Sequence, residues 1–254
     1  MLKTNDKMIT KSQVKYIQSL GQKKFREEES AFVAEGPKII NELLETASSG
    51  LQALYYTASW KLEYPVIAAK ADPTLAHEIK EAELERISFL STPHQVLGVF
   101  KKPVQPAPFR LRPGISLMLD GLQDPGNMGT IIRIADWFGV QQLVCSPDCA
   151  DAYAPKVVQG SMGSIARVQL LYTPLAAFIQ ENPGLKLYAA TLGGQPLAEA
   201  GKLTEGMLVI GNESKGVSRE ILAAASRQFT IPRVGKAESL NAAVATGILL
   251  SHLI

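Results

Sequence analysis

From residue 115 to the C-terminus the chain alternates short apolar runs with helical ones, and this alternation constrains the fold more than any other feature. Strands are expected at 115–119, 142–145, 167–171, 185–190, 207–210 and 228–231. Helices are expected at 128–138, 155–160, 174–180 and 219–226, with another running from about 242 to the end. Apolar strands separated by helices imply an α/β fold with a mainly parallel sheet covered on both faces. Ligands of such sheets bind beyond the carboxyl ends of the strands. Polar clusters fall there in this chain, at 120–130, 211–218 and 232–241.

The segment before this alternation reads as a separate small α/β unit of about one hundred residues, an ordinary domain size. Strands are expected at 32–34, 51–57, 65–69 and 96–100, with helices after Gly36-Pro37 and over 75–85. Residues 101–113 (KKPVQPAPFRLRP) carry four prolines and no apolar period, so they read as a linker. The expected division is a front domain at 1–105, a linker at 106–113 and a second domain at 114–254.

The net charge of +2 gives no overall pull toward nucleic acid, so any such contact needs local patches. The N-terminal segment supplies one. Lys7, Lys11 and Lys15 recur at helical spacing, with Val14, Ile17 and Leu20 on the apolar side. That face suits phosphates as well as plain solvation. Cys145 and Cys149 match no common zinc spacing, so no metal is expected. The N-terminus is too polar for a signal peptide, and no apolar run reaches membrane-spanning length. A soluble, cytoplasmic protein is expected.

In the first cluster, LDGLQDPGNMGTIIRIADWFG, Asp124 to Asn127 form a turn and helix cap. Arg133 follows one and a half turns later, where it serves either a ligand or the surface. The Walker and GxGxxG glycine patterns are both absent. The second cluster, LVIGNESKGVS, ends an apolar strand at Gly211 and places Asn212 and Glu213 at its tip. In the third, IPRVGKAESLNAAVA, Ser239 and Asn241 are both good helix caps. That segment reads either as a capped C-terminal helix or as a ligand-holding first turn.

In order and spacing, DPGNMGTIIRIA, VIGNESKGVS and IPRVGKAESLNAAVATGI resemble the three motifs of the SpoU/TrmH family, SPOUT-class RNA ribose 2′-O-methyltransferases. The resemblance covers 115–254. FVAEGPKIINELL and LSTPHQVLGVF extend it to the small substrate-binding domain of the rRNA-type members. It implies a SPOUT fold with a deep trefoil knot, a homodimer with its active site near the subunit interface, and S-adenosylmethionine as methyl donor. Asn127, Arg133, Glu213, Ser239 and Asn241 match the family's catalytic positions. Gly211, Ile231 and Leu240 match cofactor positions, with Ile210 beside them, and the loop around Thr191, Leu192 and Gly193 is expected to form another wall. Three positions depart from the pattern: Ser214 replaces a frequent glycine, Arg233 a methionine and Ala243 a serine.

The resemblance implies a general-base role for Arg133, but a guanidinium surrenders its proton poorly, so Arg133 is expected instead to bind the neighbouring phosphate or stabilise the developing alkoxide and pass the proton onward. Glu213 is expected to hold Arg133 as a bidentate pair, and Asn127 and Asn241 to orient it. RNA is expected on Lys7, Lys11, Lys15, Arg110, Arg112 and Lys156, as a two-domain clamp reading shape and 2′-hydroxyls. The favoured substrate is ribosomal RNA, with a guanosine of the large subunit as the candidate target. A tRNA 2′-O-methyltransferase, a non-catalytic RNA-binding protein of this fold and a nucleotide-binding dehydrogenase are the alternatives.

Overall fold

In the computed structural model, residues 8–47, 50–104 and 109–254 are described. Lys7 and the stretch 105–108 of the expected linker lie outside them. Two compact units result. One contains the chain up to Val104 together with Tyr153–Ala166, and the other the remainder.

In the first unit, helix α1 (Lys11–Ser19) begins at Thr10, whose hydroxyl accepts from the Gln13 amide while the Gln13 side chain accepts from the Thr10 amide. This reciprocal cap starts the helix where its apolar face begins. Val14, Ile17 and Leu20 are buried, and Lys11 and Lys15 are exposed. Helix α2 (Lys23–Glu28) leads into strand β1 (Ala31–Glu35), helix α3 (Pro37–Ala47) and strand β2 (Leu51–Tyr56). After α4 (Ala58–Glu63) and α5 (Pro65–Ala68) come strand β3 (Ala76–Glu78), α6 (Glu81–Glu85) and strand β4 (Val96–Lys101). The sheet order is β1-β4-β2-β3, with β4 antiparallel to both neighbours and β3 parallel to β2.

Two expectations fail in this unit. Residues 65–69 are not a strand: Pro65 occupies the first position of α5, where its fixed φ suits a helix and its missing N–H costs nothing. Residues 75–85 are not one helix. Ala76–Glu78 extends the sheet along β2, and the chain then restarts as α6, the Glu83 carboxylate accepting from the Lys80 amide. A β-ladder partner outweighed local helix propensity there.

The second unit holds strands β5 (Ile115–Asp120), β6 (Gln142–Cys145), β7 (Gln169–Tyr172), β8 (Leu187–Pro196), β9 (Gly206–Gly211) and β10 (Arg227–Thr230). Their order is β10-β8-β9-β5-β6-β7, and every pairing is parallel. Helix α7 (Pro125–Trp137) follows β5, α9 (Leu175–Glu181) follows β7, α10 (Arg219–Ala224) follows β9, and α11 (Ala242–Leu253) closes the chain. Met118, Val144, Leu187, Val209, Phe178 and Ile221 form one continuous apolar cluster of sheet and helix residues.

The connection between β6 and β7 departs from the expected domain layout. Its helix α8 (Pro155–Ser161) clusters with the first unit, where Tyr153 packs on Phe32 with ring centroids 5.0 Å apart. The described end of the linker is fixed within the second unit. Phe109 and Leu111 pack on its apolar cluster, and buried Gln142 accepts from the Arg112 amide and donates to the Arg110 carbonyl. Arg110 and Arg112 are exposed.

Candidate functional site

The carboxyl ends of β5, β9 and β10 carry the three polar clusters, and side-chain amides join them. Asp120 and Gly211 pair at the ends of β5 and β9, so the segments that follow start side by side. Asp124 caps α7 by accepting from the Asn127 amide at 2.7 Å, which places Asn127 on the first turn. The Asn127 Nδ2 donates to Glu213 Oε1 at 2.7 Å, and its Oδ1 accepts from Asn241 Nδ2, also at 2.7 Å. Asn241 in turn caps α11, its Oδ1 accepting from the amides of Ala243 and Val244. Residues 86 and 114 positions apart in sequence are thus one hydrogen-bonded chain of carboxylate, amide and amide.

Packing of α7 against α11 holds the two capped ends together. Thr246 is fully buried on α11 and returns its hydroxyl to the Ala242 carbonyl. Of the two expected cap residues, Asn241 is the one used. Ser239 is exposed, and no hydrogen bond of its side chain is seen among the described residues.

Arg133 does not join this chain. Six residues separate it from Asn127, which is about 120° round an α-helix, and it is exposed while Asn127 is buried. The expected Arg133–Glu213 pair is therefore not formed within one chain, and Glu213 bonds Asn127 instead. Trp137, one turn beyond Arg133 on the same face, is 85% exposed.

Of the expected cofactor positions, Ile210 and Gly211 end β9, Thr191 to Gly193 lie in β8 beyond its pairing with β9, Ile231 follows β10, and Leu240 directly precedes the Asn241 cap of α11. At Gly211 a Cβ would lie 2.2 Å from the Gly216 carbonyl carbon, so only glycine lets the following loop turn back so closely. At Gly194 a Cβ would meet the Gln228 carbonyl at 2.6 Å, where β8 and β10 shift register. Before that crossing, Leu192 is 77% exposed and Gly193 borders open space. The Thr191 Oγ1 is buried without a hydrogen-bond partner, an atom whose desolvation a ligand would repay. Ile210 is buried, Ile231 is half-buried and Leu240 is half-exposed. An apolar surface, bare backbone and one orphaned hydroxyl suit a ligand with a flat ring and a few polar atoms, as S-adenosylmethionine has.

Behind the site, sequence reasoning missed a second set of contacts. Ser146 Oγ accepts from the Gly121 amide, and Cys149 Sγ accepts from the Leu122 amide at 3.3 Å. Hydrogen bonds from Cys145, then Ser146 and backbone amides, draw the Cys149 thiol down to about 7, while the same contact and burial push Cys145 up. A cavity of about 190 Å³ lies at the opposite, amino-terminal end of the strands, lined by Gly114, Ser116, Gly206 and Met207. Leu111 and Arg112 also line it, whereas no residue of the three polar turns does.

A parallel α/β sheet with three interlinked carboxyl-end turns and a ring-accepting edge defines a class of ligand-binding α/β enzyme. Within that class the chain belongs to the SpoU rRNA methylase family, whose model matches residues 114–251. An MRM3-like substrate-binding domain matches residues 11–98. The 23S rRNA (guanosine(2553)-2′-O)-methyltransferase RlmP of Bacillus subtilis is 29% identical, over 94% of this chain and 95% of its own. The human mitochondrial rRNA methyltransferase 3 is 25% identical, over 89% of this chain and 68% of its own. Among solved structures, an AdoMet-bound rRNA methyltransferase from Sinorhizobium meliloti is 31% identical, with a TM-score of 0.85 covering 97% of this chain and 96% of that one.

Proposed function

We propose that this protein transfers the methyl group of S-adenosylmethionine to a ribose 2′-hydroxyl of ribosomal RNA, at a guanosine of the large subunit. The observation that carries the reading is the Glu213–Asn127–Asn241 chain, which draws the three motif turns together at one end of the sheet. The relatives supply the substrate: RlmP is named for a guanosine of 23S rRNA, and the Sinorhizobium enzyme for rRNA.

Thr191, Leu192, Gly193, Ile210, Gly211, Ile231 and Leu240 would hold the cofactor, which supplies an electrophilic methyl on a sulfonium. The protein must align a poorly nucleophilic hydroxyl with that methyl, and alignment alone lowers a barrier by several kcal/mol, up to roughly 7–11 in favourable cases. One hydrogen bond from the Asn241 amide to the Asn127 carbonyl oxygen fixes the two side chains relative to each other, and this set orientation would help align the ribose. The Glu213 carboxylate anchors that chain, and its second oxygen remains for a substrate hydroxyl. Ser239 lines the same end of α11. Arg133 stabilises the alkoxide or binds the adjoining phosphate.

Arg133 lies on an exposed face with Trp137, which supports a homodimer in which a second copy covers α7 and the active site lies near the interface. RNA would be gathered by Lys11, Lys15, Arg110, Arg112 and Lys156, all exposed, and by Lys7. The deep trefoil knot and a cytoplasmic location belong to the same reading. No helix among the described residues is long and apolar enough to cross a membrane.

The test is methyl transfer from tritiated S-adenosylmethionine to rRNA from cells lacking the protein. Wild type should label the RNA, and Arg133→Ala should lose labelling at least a hundredfold while binding the cofactor with nearly unchanged affinity. Near-normal turnover in that variant refutes its role.

A further inference from the structure

We infer that Asn212 is a positioning residue that sets the Glu213 carboxylate by tying the loop after β9 to the end of β5. The inference rests on Glu213 belonging to the site described above. Every hydrogen-bonding group of Asn212 is engaged. Its Nδ2 donates to the Gly121 carbonyl at 2.7 Å, and its Oδ1 accepts from the amides of Ser214 at 2.9 Å and Lys215 at 3.1 Å. Its main chain donates to the Gly216 carbonyl and accepts from the Gly216 amide. Glu213 is the residue enclosed by this turn, held on one side by Asn212 and on the other by amides bonded back to Asn212.

The direction of these bonds explains why an amide stands here. The turn presents two donors that need an acceptor, and the end of β5 presents a carbonyl that needs a donor. A carboxamide supplies both from one side chain. Gly121 comes just before the Asp124 cap that seats Asn127. Asn212 and Glu213 therefore cross to the same β5–α7 segment in parallel: one fixes the main chain, and the other makes the bond to Asn127. Without the first, the loop bearing Glu213 reaches the β5–α7 segment only through the second and through the Ser218 amide's bond to Asp120.

Asn212→Asp tests this because it makes the crossing titratable. Ionised, the new carboxylate still accepts from Ser214 and Lys215 but meets the Gly121 carbonyl with no proton to donate. Protonated, it donates as the amide does. The charged groups around it are Glu213 and Lys215 on its own loop, Asp120 at the end of β5, bonded to the Ser218 amide, and Asp148 beside Gly121. Three carboxylates against one lysine raise the pKa of a carboxyl placed there, whereas the two turn amides lower it.

The experiment uses the full-length protein, tritiated S-adenosylmethionine and rRNA from cells lacking it, and reads the single-turnover rate from pH 5.5 to 8.5. Beside it, NMR of the protein alone follows the Asn127 side-chain amide protons, which the bond to Glu213 shifts downfield. Asn212→Ala is expected to slow transfer at least tenfold and to move the Asn127 signal to an unbonded position, with cofactor affinity within threefold of wild type. Asn212→Asp is expected to fall below wild type in rate and in downfield shift together wherever its carboxyl is ionised, with the deficit greatest at the alkaline end of the range. An Asn127 signal unmoved in Asn212→Ala, or Asn212→Asp tracking wild type across the range, overturns the proposal. A wild type inactive on this RNA refutes the assigned function instead, and the NMR arm still decides the role of Asn212. If Asn212→Ala fails to fold, Asn212→Asp followed across the pH range carries the test.

Discussion

Asn241 holds two jobs with one side chain. Its oxygen caps α11 and its nitrogen bonds Asn127. Asn241→Ala loses the cap, worth about 1 kcal/mol, and leaves a buried Asn127 oxygen unbonded at a further cost of roughly 1–3 kcal/mol. The expected outcome in a denaturant titration is a loss of about 2–4 kcal/mol, with methyl transfer falling well beyond the loss of folded protein. Gly211 is constrained more simply. A methyl group there would sit 2.2 Å from backbone of the returning loop, so Gly211→Ala should displace the Glu213 turn. Calorimetry should show the affinity for S-adenosylmethionine falling at least tenfold. Motif order pointed to Asn127, Glu213 and Asn241, which the fold joins in one hydrogen-bonded chain. The Asn127–Asn241 bond was not legible in the sequence, since no local pattern states which of two amides 114 positions apart will meet. Nor was the solitary exposure of Arg133, which the spacing of six along one helix does imply once Asn127 is known to be buried.

At the scale of elements, the parallel strands of the second unit were readable because buried strands on both faces leave long apolar runs. The short pieces of the first unit were not. Residues 65–68 and 76–78 are four and three residues long, so neither period develops, and the partner strand or the proline decides. The excursion between β6 and β7 was unreadable too, because its helix packs with residues distant in sequence. Beyond β6, Cys149 makes a prediction of its own: the hydrogen bonds from Cys145, Ser146 and backbone amides hold its thiol down to about 7, from an ordinary value near 9. A depressed acid stabilises the fold above its unfolded pKa, and that contribution fades as pH falls through the folded value. Unfolding titrations should show wild type gaining stability from pH 7 to 9 relative to Cys149→Ser. A constant difference across that window would rule out a buried thiolate.

For the whole molecule, the exposed Trp137 beside exposed Arg133 is a feature a lone chain does not explain. If a second copy covers this face as proposed, wild type sediments as a dimer and Trp137→Glu shifts it to monomer and reduces methyl transfer with it; a monomeric wild type contradicts the proposed dimer. Arg110, Arg112 and Lys156 predict that RNA affinity falls steeply with salt, and Arg112→Ala should flatten that slope by about one counterion.

The most direct measurement is a map of ribose 2′-O-methyl groups across total RNA, from cells with this protein, without it, and with Asn127→Ala. The account predicts one position in large-subunit rRNA, a guanosine, methylated in the first and bare in the other two. Identical maps in all three would contradict it.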